Sequence, residues 1–196
     1  MKTFEGRRFS AQEIAGVGVL LALVIVLQVV GGSISIGVVQ LNFTLIPIVL
    51  GGILFGAWVG ALTGFVCGVV VLIQVIMGIV PFYTIIWAGD PIVVALTCIL
   101  KTTVAGFLCG YFYNLIAKKN KIVATFVASA IVPVVNTTLF IIGCLFMTNS
   151  VYGMAGGENV LTFILVSIVT FNFFIELAIN LIVAPALNRV FKAIKF

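Results

Sequence analysis

Long apolar stretches separated by short polar breaks run through the whole chain. No charged residue falls in 14–81, 91–100, 123–157 or 160–175. A membrane-crossing helix needs about 20 apolar residues, so the first stretch alone must hold several. The breaks predict six helices, over 11–30, 41–55, 57–78, 91–117, 122–147 and 160–192. The segment 31–40, GGSISIGVVQ, alternates in character and predicts a short extended lid after the first helix. A loop is expected over 79–90, carrying Pro81, Tyr83, Trp87 and Asp90. A glycine-rich loop, 148–159, is expected to join the last two helices.

Composition fixes the class. The 196 residues are 63% hydrophobic and only 8% charged. Mean hydropathy is +1.39, whereas soluble domains are about 25% charged. The expectation is an all-α integral membrane protein, one six-helix transmembrane domain over 1–196. The start, MKTFEGRRFS, has the basic character of a signal peptide. The apolar run behind it is long and lacks a convincing small-x-small cleavage site, so a retained first helix is expected.

Charge sets the orientation. Lys2, Arg7 and Arg8 precede the first helix, Lys118, Lys119 and Lys121 separate the fourth from the fifth, and Arg189, Lys192 and Lys195 lie at the end of the sixth. With six spans these three places share one side, and the opposite loops carry only Asp90 and Glu158. Both termini are therefore expected in the cytoplasm. The net charge of +5 has this origin and is no nucleic-acid signal.

Against so apolar a background, buried polar groups are the candidate chemistry. Glu176 lies mid-way along the last helix, where a charge costs roughly 2.5–3.5 kcal/mol. Asn172 and Asn180 sit four residues to either side, on the same face of a helix. Lys101, about 15 Å into the fourth helix, is the second intramembrane charge. The two either neutralise each other as a structural ion pair or face a polar ligand. Asn136, Thr137 and Thr138 interrupt the fifth helix just after Pro133, as interhelical glue or as ligand contacts. Gln40 and Asn42 flank the entry to the second helix. Tyr83 and Trp87 belong to an interfacial belt or lid a pocket. Asn180, deeper than its neighbours, reads as structural.

Other chemistry has no support. There is no histidine, and Cys67, Cys98, Cys109 and Cys144 are scattered through apolar segments without a C-x-x-C pair. No metal or cofactor is expected. No phosphate-binding P-loop, H-E-x-x-H or G-x-S-x-G occurs, so neither ATP hydrolysis nor a known membrane-protease chemistry is indicated. No 20–50-residue repeat is evident. Gly52, Gly56, Gly60, Gly64 and Gly68 recur every four residues, a spacing for close helix packing or for a partner subunit.

Several strings, in order and spacing, resemble the substrate-binding (S) component of energy-coupling factor (ECF) vitamin transporters. They are VVQLNFTLIPIVLGGILFGAWVGALTGFVCG (38–68), DPIVVALTCILKTTVAGFLCGYFY (90–113), VPVVNTTLFIIG (132–143) and FNFFIELAINLIVAPAL (171–187). The resemblance implies six helices and one micronutrient bound in the outer half. It also implies a bacterial plasma-membrane location, with a transmembrane coupling subunit and two cytoplasmic ATPases as partners. It maps ligand contacts onto Gln40, Asn42, Tyr83, Trp87, Lys101, Asn136 and Asn172, beside the independently suspected Glu176. It maps coupling-subunit docking onto Ala11 and Ala15, with Gly18 and Ala22 repeating the small-residue spacing. Because few aromatics are expected at the pocket, while amides, a lysine and a carboxylate are, a compact polar vitamin such as pantothenate comes first. Riboflavin- or pyridoxine-like ligands follow. The alternatives are a stand-alone ion-coupled carrier and a small lipid-modifying enzyme using Glu176.

Overall fold

The computed structural model describes residues 10–31, 35–36, 39–40, 42–155, 159, 162–165 and 170–193. Helix α1 (Ala11–Gly31) opens on a reciprocal cap. Ser10 Oγ accepts from the Glu13 N–H at 3.2 Å, and the Glu13 carboxylate accepts from the Ser10 N–H at 2.9 Å. The pattern satisfies two of the donors that a helix start leaves open. Two-residue strands β1 (Ser35–Ile36) and β2 (Val39–Gln40) then pair antiparallel, Ser35 opposite Gln40. This hairpin is the extended segment expected after the first helix.

Helix α2 (Leu45–Phe55) begins four residues later than the apolar pattern predicts. Asn42–Thr44 form a turn instead, with the Asn42 carbonyl accepting from the Leu45 N–H. Its sequence is apolar on every side, and Leu45, Ile48, Val49 and Ile53 are all buried. A helix hydrophobic all round belongs inside a bundle, and α2 touches α1, α3, α5 and α6. Gly56, at φ 98°, makes the tight turn into α3 (Ala57–Ile76). Only glycine adopts that backbone without strain.

Two expected loops contain helices. Gly78, at φ 75°, ends the α3 region, and Pro81 at the first helical position starts α4 (Pro81–Trp87). Phe82, Tyr83 and Ile86 form its buried face. A seven-residue helix is too short to show a clear period. After α5 (Pro91–Ile116) and α6 (Lys121–Phe146), α7 (Thr148–Ala155) occupies much of the glycine-rich segment. Met147 and Val151 anchor it in the core. Of the predicted sixth helix, 162–165 are helical, and α8 (Thr170–Ala193) is its longer described part.

Helix α5 is the centre, packed between α3 and α6. The four-residue glycine repeat explains the closeness of α3 to α5. A Cβ on Gly60 would collide with the Gly106 carbonyl, and one on Gly64 with the Thr102 carbonyl. Gly68 meets the Cys98 carbonyl in the same way, so the stripe serves internal packing.

Helices α1, α3, α5 and α6 are long and apolar enough to cross a membrane, and α2 and the 172–186 part of α8 are shorter apolar helices. Large apolar side chains such as Val26, Ile92 and Ile182 point outward, as a lipid-facing surface requires. The chain is a multi-pass membrane protein. Trp58 meets Phe107 edge-on at 5.4 Å, and Phe107 stacks with Tyr111 at 6.5 Å. Trp58 and Tyr111 are exposed, and Tyr111 lies about two helical turns along α5 from the basic turn of Lys118, Lys119 and Lys121. Exposed rings near a basic turn are what an interfacial aromatic belt would use. Tyr83, considered for such a belt, is buried instead. Of the ten basic side chains, those of Lys2, Arg7, Arg8, Arg189, Lys192 and Lys195 lie outside the described residues.

Candidate functional site

The turn before α2, the short helix α4 and the middles of α5, α6 and α8 converge on a cavity of about 50 Å³, room for a few water molecules. One wall is polar. Asn42, Lys101, Asn136, Asn172 and Glu176 all reach it, bringing together five of the eight ligand candidates from four separate segments. Tyr83 joins them in a second, aromatic wall with Phe82, Phe140 and Phe173. The premise that few aromatics reach the pocket therefore fails. These rings read in the sequence as ordinary apolar positions.

Glu176 and Lys101 make no ion pair with each other; each has its own partners. Glu176 Oε1 accepts from the Asn42 backbone N–H at 3.1 Å and from Asn42 Nδ2 at 3.0 Å. The carboxylate thus ties α8 to the turn that starts α2. Lys101 Nζ lies 5.1 Å from the Tyr83 ring centre and 5.4 Å from that of Phe140. Both are within the cation–π range of about 6 Å. The two T-shaped rings, 5.8 Å apart, form one pocket for the ammonium.

Asn136 stands one turn beyond Pro133, which lacks an N–H to continue the helix ladder. Its Oδ1 and the Tyr83 hydroxyl oxygen are buried without a hydrogen-bond partner among the described residues. Buried polar atoms in folded proteins are rarely left so. Asn180 does not reach the cavity. It donates from Nδ2 to the Glu176 carbonyl at 2.8 Å, one turn back, in keeping with its structural reading. Trp87 is half-buried against the apolar core and is absent from the cavity wall. The Gln40 side chain lies outside the described residues, although its backbone belongs to β2.

Sequence reasoning missed Gln28. This glutamine of α1 lines the cavity and is buried. It donates from Nε2 to Gln74 Oε1 at 2.9 Å, and its own carbonyl accepts from Gln74 Nε2 at 3.2 Å. Thr44 Oγ1 donates to Gln28 Oε1 at 3.3 Å. The network clamps α1, the start of α2 and α3 together beside the cavity. The signal was present as lone glutamines within apolar helices. Gln74→Leu is expected to lower stability by about 1–3 kcal/mol, because it strands the buried Gln28 amide. Gln74→Glu should do no better, since it replaces the Nε2 donor with charge. Thermal unfolding of both variants checks this.

The cysteines are free and buried, and no cluster of metal-ligating side chains occurs among the described residues. The cavity wall offers hydrogen-bonding groups beside aromatic faces.

The family model described as "ECF transporter, substrate-specific component" matches residues 12–188, nearly the whole chain. The protein belongs to the ECF transporter substrate-specific component family. No individual curated protein matches it significantly. As a member of this family it is a substrate-specific part of a membrane transport system rather than an enzyme, and it works with ECF modules. Ala11, Ala15, Gly18 and Ala22, the small residues considered for docking, are all exposed along α1.

Proposed function

We propose that this S component binds a water-soluble vitamin or related micronutrient in the cavity between α2, α4, α5, α6 and α8, for import through an ECF-type ABC transporter. The observation that carries this reading is the convergence of Asn42, Lys101, Asn136, Asn172 and Glu176, including both charged residues of the bundle interior, on one cavity. Gln40 and Trp87 would belong to its outer cover, with the β1–β2 hairpin as a lid. The bundle would cross the bacterial plasma membrane six times, by α1, α2, α3, α5, α6 and α8, with both ends in the cytoplasm. The exposed stripe of Ala11, Ala15, Gly18 and Ala22 on α1 would seat the transmembrane coupling subunit, and two cytoplasmic ATPases would drive the cycle. Pantothenate, riboflavin-like and pyridoxine-like molecules are the candidate ligands, and the aromatic wall removes the reason for ranking pantothenate first.

Small molecules released from gently purified protein, identified by mass spectrometry, test the reading. A stoichiometric micronutrient is expected. Asn172→Ala should weaken its retention by about ten-fold, the loss of one to two hydrogen bonds, while the empty protein keeps its melting temperature to within a few degrees. Protein that carries nothing, and that no vitamin stabilises against heat, would overturn it.

A further inference from the structure

We infer that the ligand is an anion, and that its carboxylate or phosphate group sits on Lys101 against the Tyr83–Phe140 ring pair. The inference rests on the binding-subunit reading and narrows it to a chemical class.

An ammonium carries three N–H donors. Lys101 is 6% exposed, and its contacts are two aromatic faces. Among the described residues no hydrogen-bond acceptor reaches it. Ring faces attract a cation, but they accept its N–H groups only weakly. A buried charge is ordinarily paired and hydrogen-bonded. Glu176 lines the same cavity and feels Lys101 through space, but it makes no hydrogen bond to the ammonium, and its Oε1 is occupied by both Asn42 donors. Water in the empty cavity can serve the ammonium. A ligand that displaces this water must bring acceptors of its own, and a charged one makes the stronger bond.

The remaining cavity chemistry is consistent with that orientation. Among the described residues Asn136 Oδ1 has no hydrogen-bond partner, so a hydroxyl or amide group elsewhere on the ligand has somewhere to bond. Phe82 and Phe173 cover its apolar part. The class that fits is a small organic acid bearing hydroxyl or amide groups.

Matched pairs that differ only in the acid group test this on the full-length protein in nanodiscs. Suitable probes are pantothenate with pantothenol, pyridoxate with pyridoxine, riboflavin phosphate with riboflavin, and nicotinate with nicotinamide. Calorimetry should show the acid of at least one pair binding about ten-fold tighter or more than its neutral twin. Lys101→Met should erase the difference between acid and neutral twin, and Lys101→Arg should retain it. The neutral twins set the wild-type comparison even if Lys101→Met folds poorly. A neutral twin that binds as tightly as its acid overturns the inference, as does a preference that survives in Lys101→Met. A neutral or cationic molecule found in the purified protein overturns it while leaving the binding-subunit reading intact. An anionic lipid in place of a soluble acid also overturns it. If no probe binds and no molecule is released, the binding-subunit reading itself falls.

Discussion

Gly64→Leu is expected to yield almost no folded protein. A single methyl carbon at this position would already overlap the Thr102 carbonyl, and its next neighbour is the Thr103 Cα. Both obstacles are backbone, so no side-chain rotation can relieve them. Helix α3 would have to move away from α5, which is itself locked at Gly106 by the Gly60 carbonyl. Overpacking a tight core costs about 1–3 kcal/mol where side chains can adjust. Here the adjustment is a helix displacement, so the upper end is the floor. Gly18→Ala on α1 is the matched control. Nothing lies within 4 Å of its added Cβ, and alanine gains about 1 kcal/mol of helix propensity over glycine. Its folded yield and melting temperature should equal or exceed those of the parent. Monodisperse yield from size-exclusion chromatography, with thermal unfolding, reads both. Wild-type behaviour of Gly64→Leu would mean that α3 and α5 do not pack on this stripe.

The same stripe shows what a sequence reveals about such a fold. A four-residue glycine period survives any amount of apolar background, so close packing was legible, and the structure chooses internal packing over a partner surface. The long helices were legible because charge is costly in lipid and therefore confined to their ends. Their short companions were not: α4 has seven residues, fewer than two full helical turns. Lys101 and Glu176 stood out for the same reason that the helices did. Which of the other candidates they meet was not legible, because the contacts span the chain. Asn42 and Glu176 are 134 residues apart, and no local pattern links them. Beyond Tyr83, the cavity's aromatic wall was invisible for a different reason. A phenylalanine facing a ligand and one facing lipid look alike in sequence, and only the convergence of α4, α6 and α8 separates them.

The Glu176 tether gives the second large effect. Glu176→Ala removes an acceptor shared by two Asn42 donors, one of them a backbone N–H. Hydrogen bonds to a charged group contribute about 1.5–3 kcal/mol each, and a stranded donor adds its own desolvation cost. Stability should fall by about 3 kcal/mol, and ligand affinity with it, because Asn42 is the residue on which the β1–β2 hairpin rejoins the bundle. Glu176→Gln keeps an acceptor oxygen and should lose less than half as much. Asn42→Ala removes one of the two bonds and leaves the backbone N–H in place, so its cost should be intermediate. The decisive quantity is the coupling between the two sites. If Glu176 acts through Asn42, Glu176→Ala and Asn42→Ala together should cost about 1–2 kcal/mol less than the sum of the single effects, in both unfolding and ligand binding. If the effects on binding add while those on unfolding couple, Glu176 also touches the ligand directly, through Oε2. If neither couples, the tether is not what holds the entry to α2, and the carboxylate must be explained by the ligand alone.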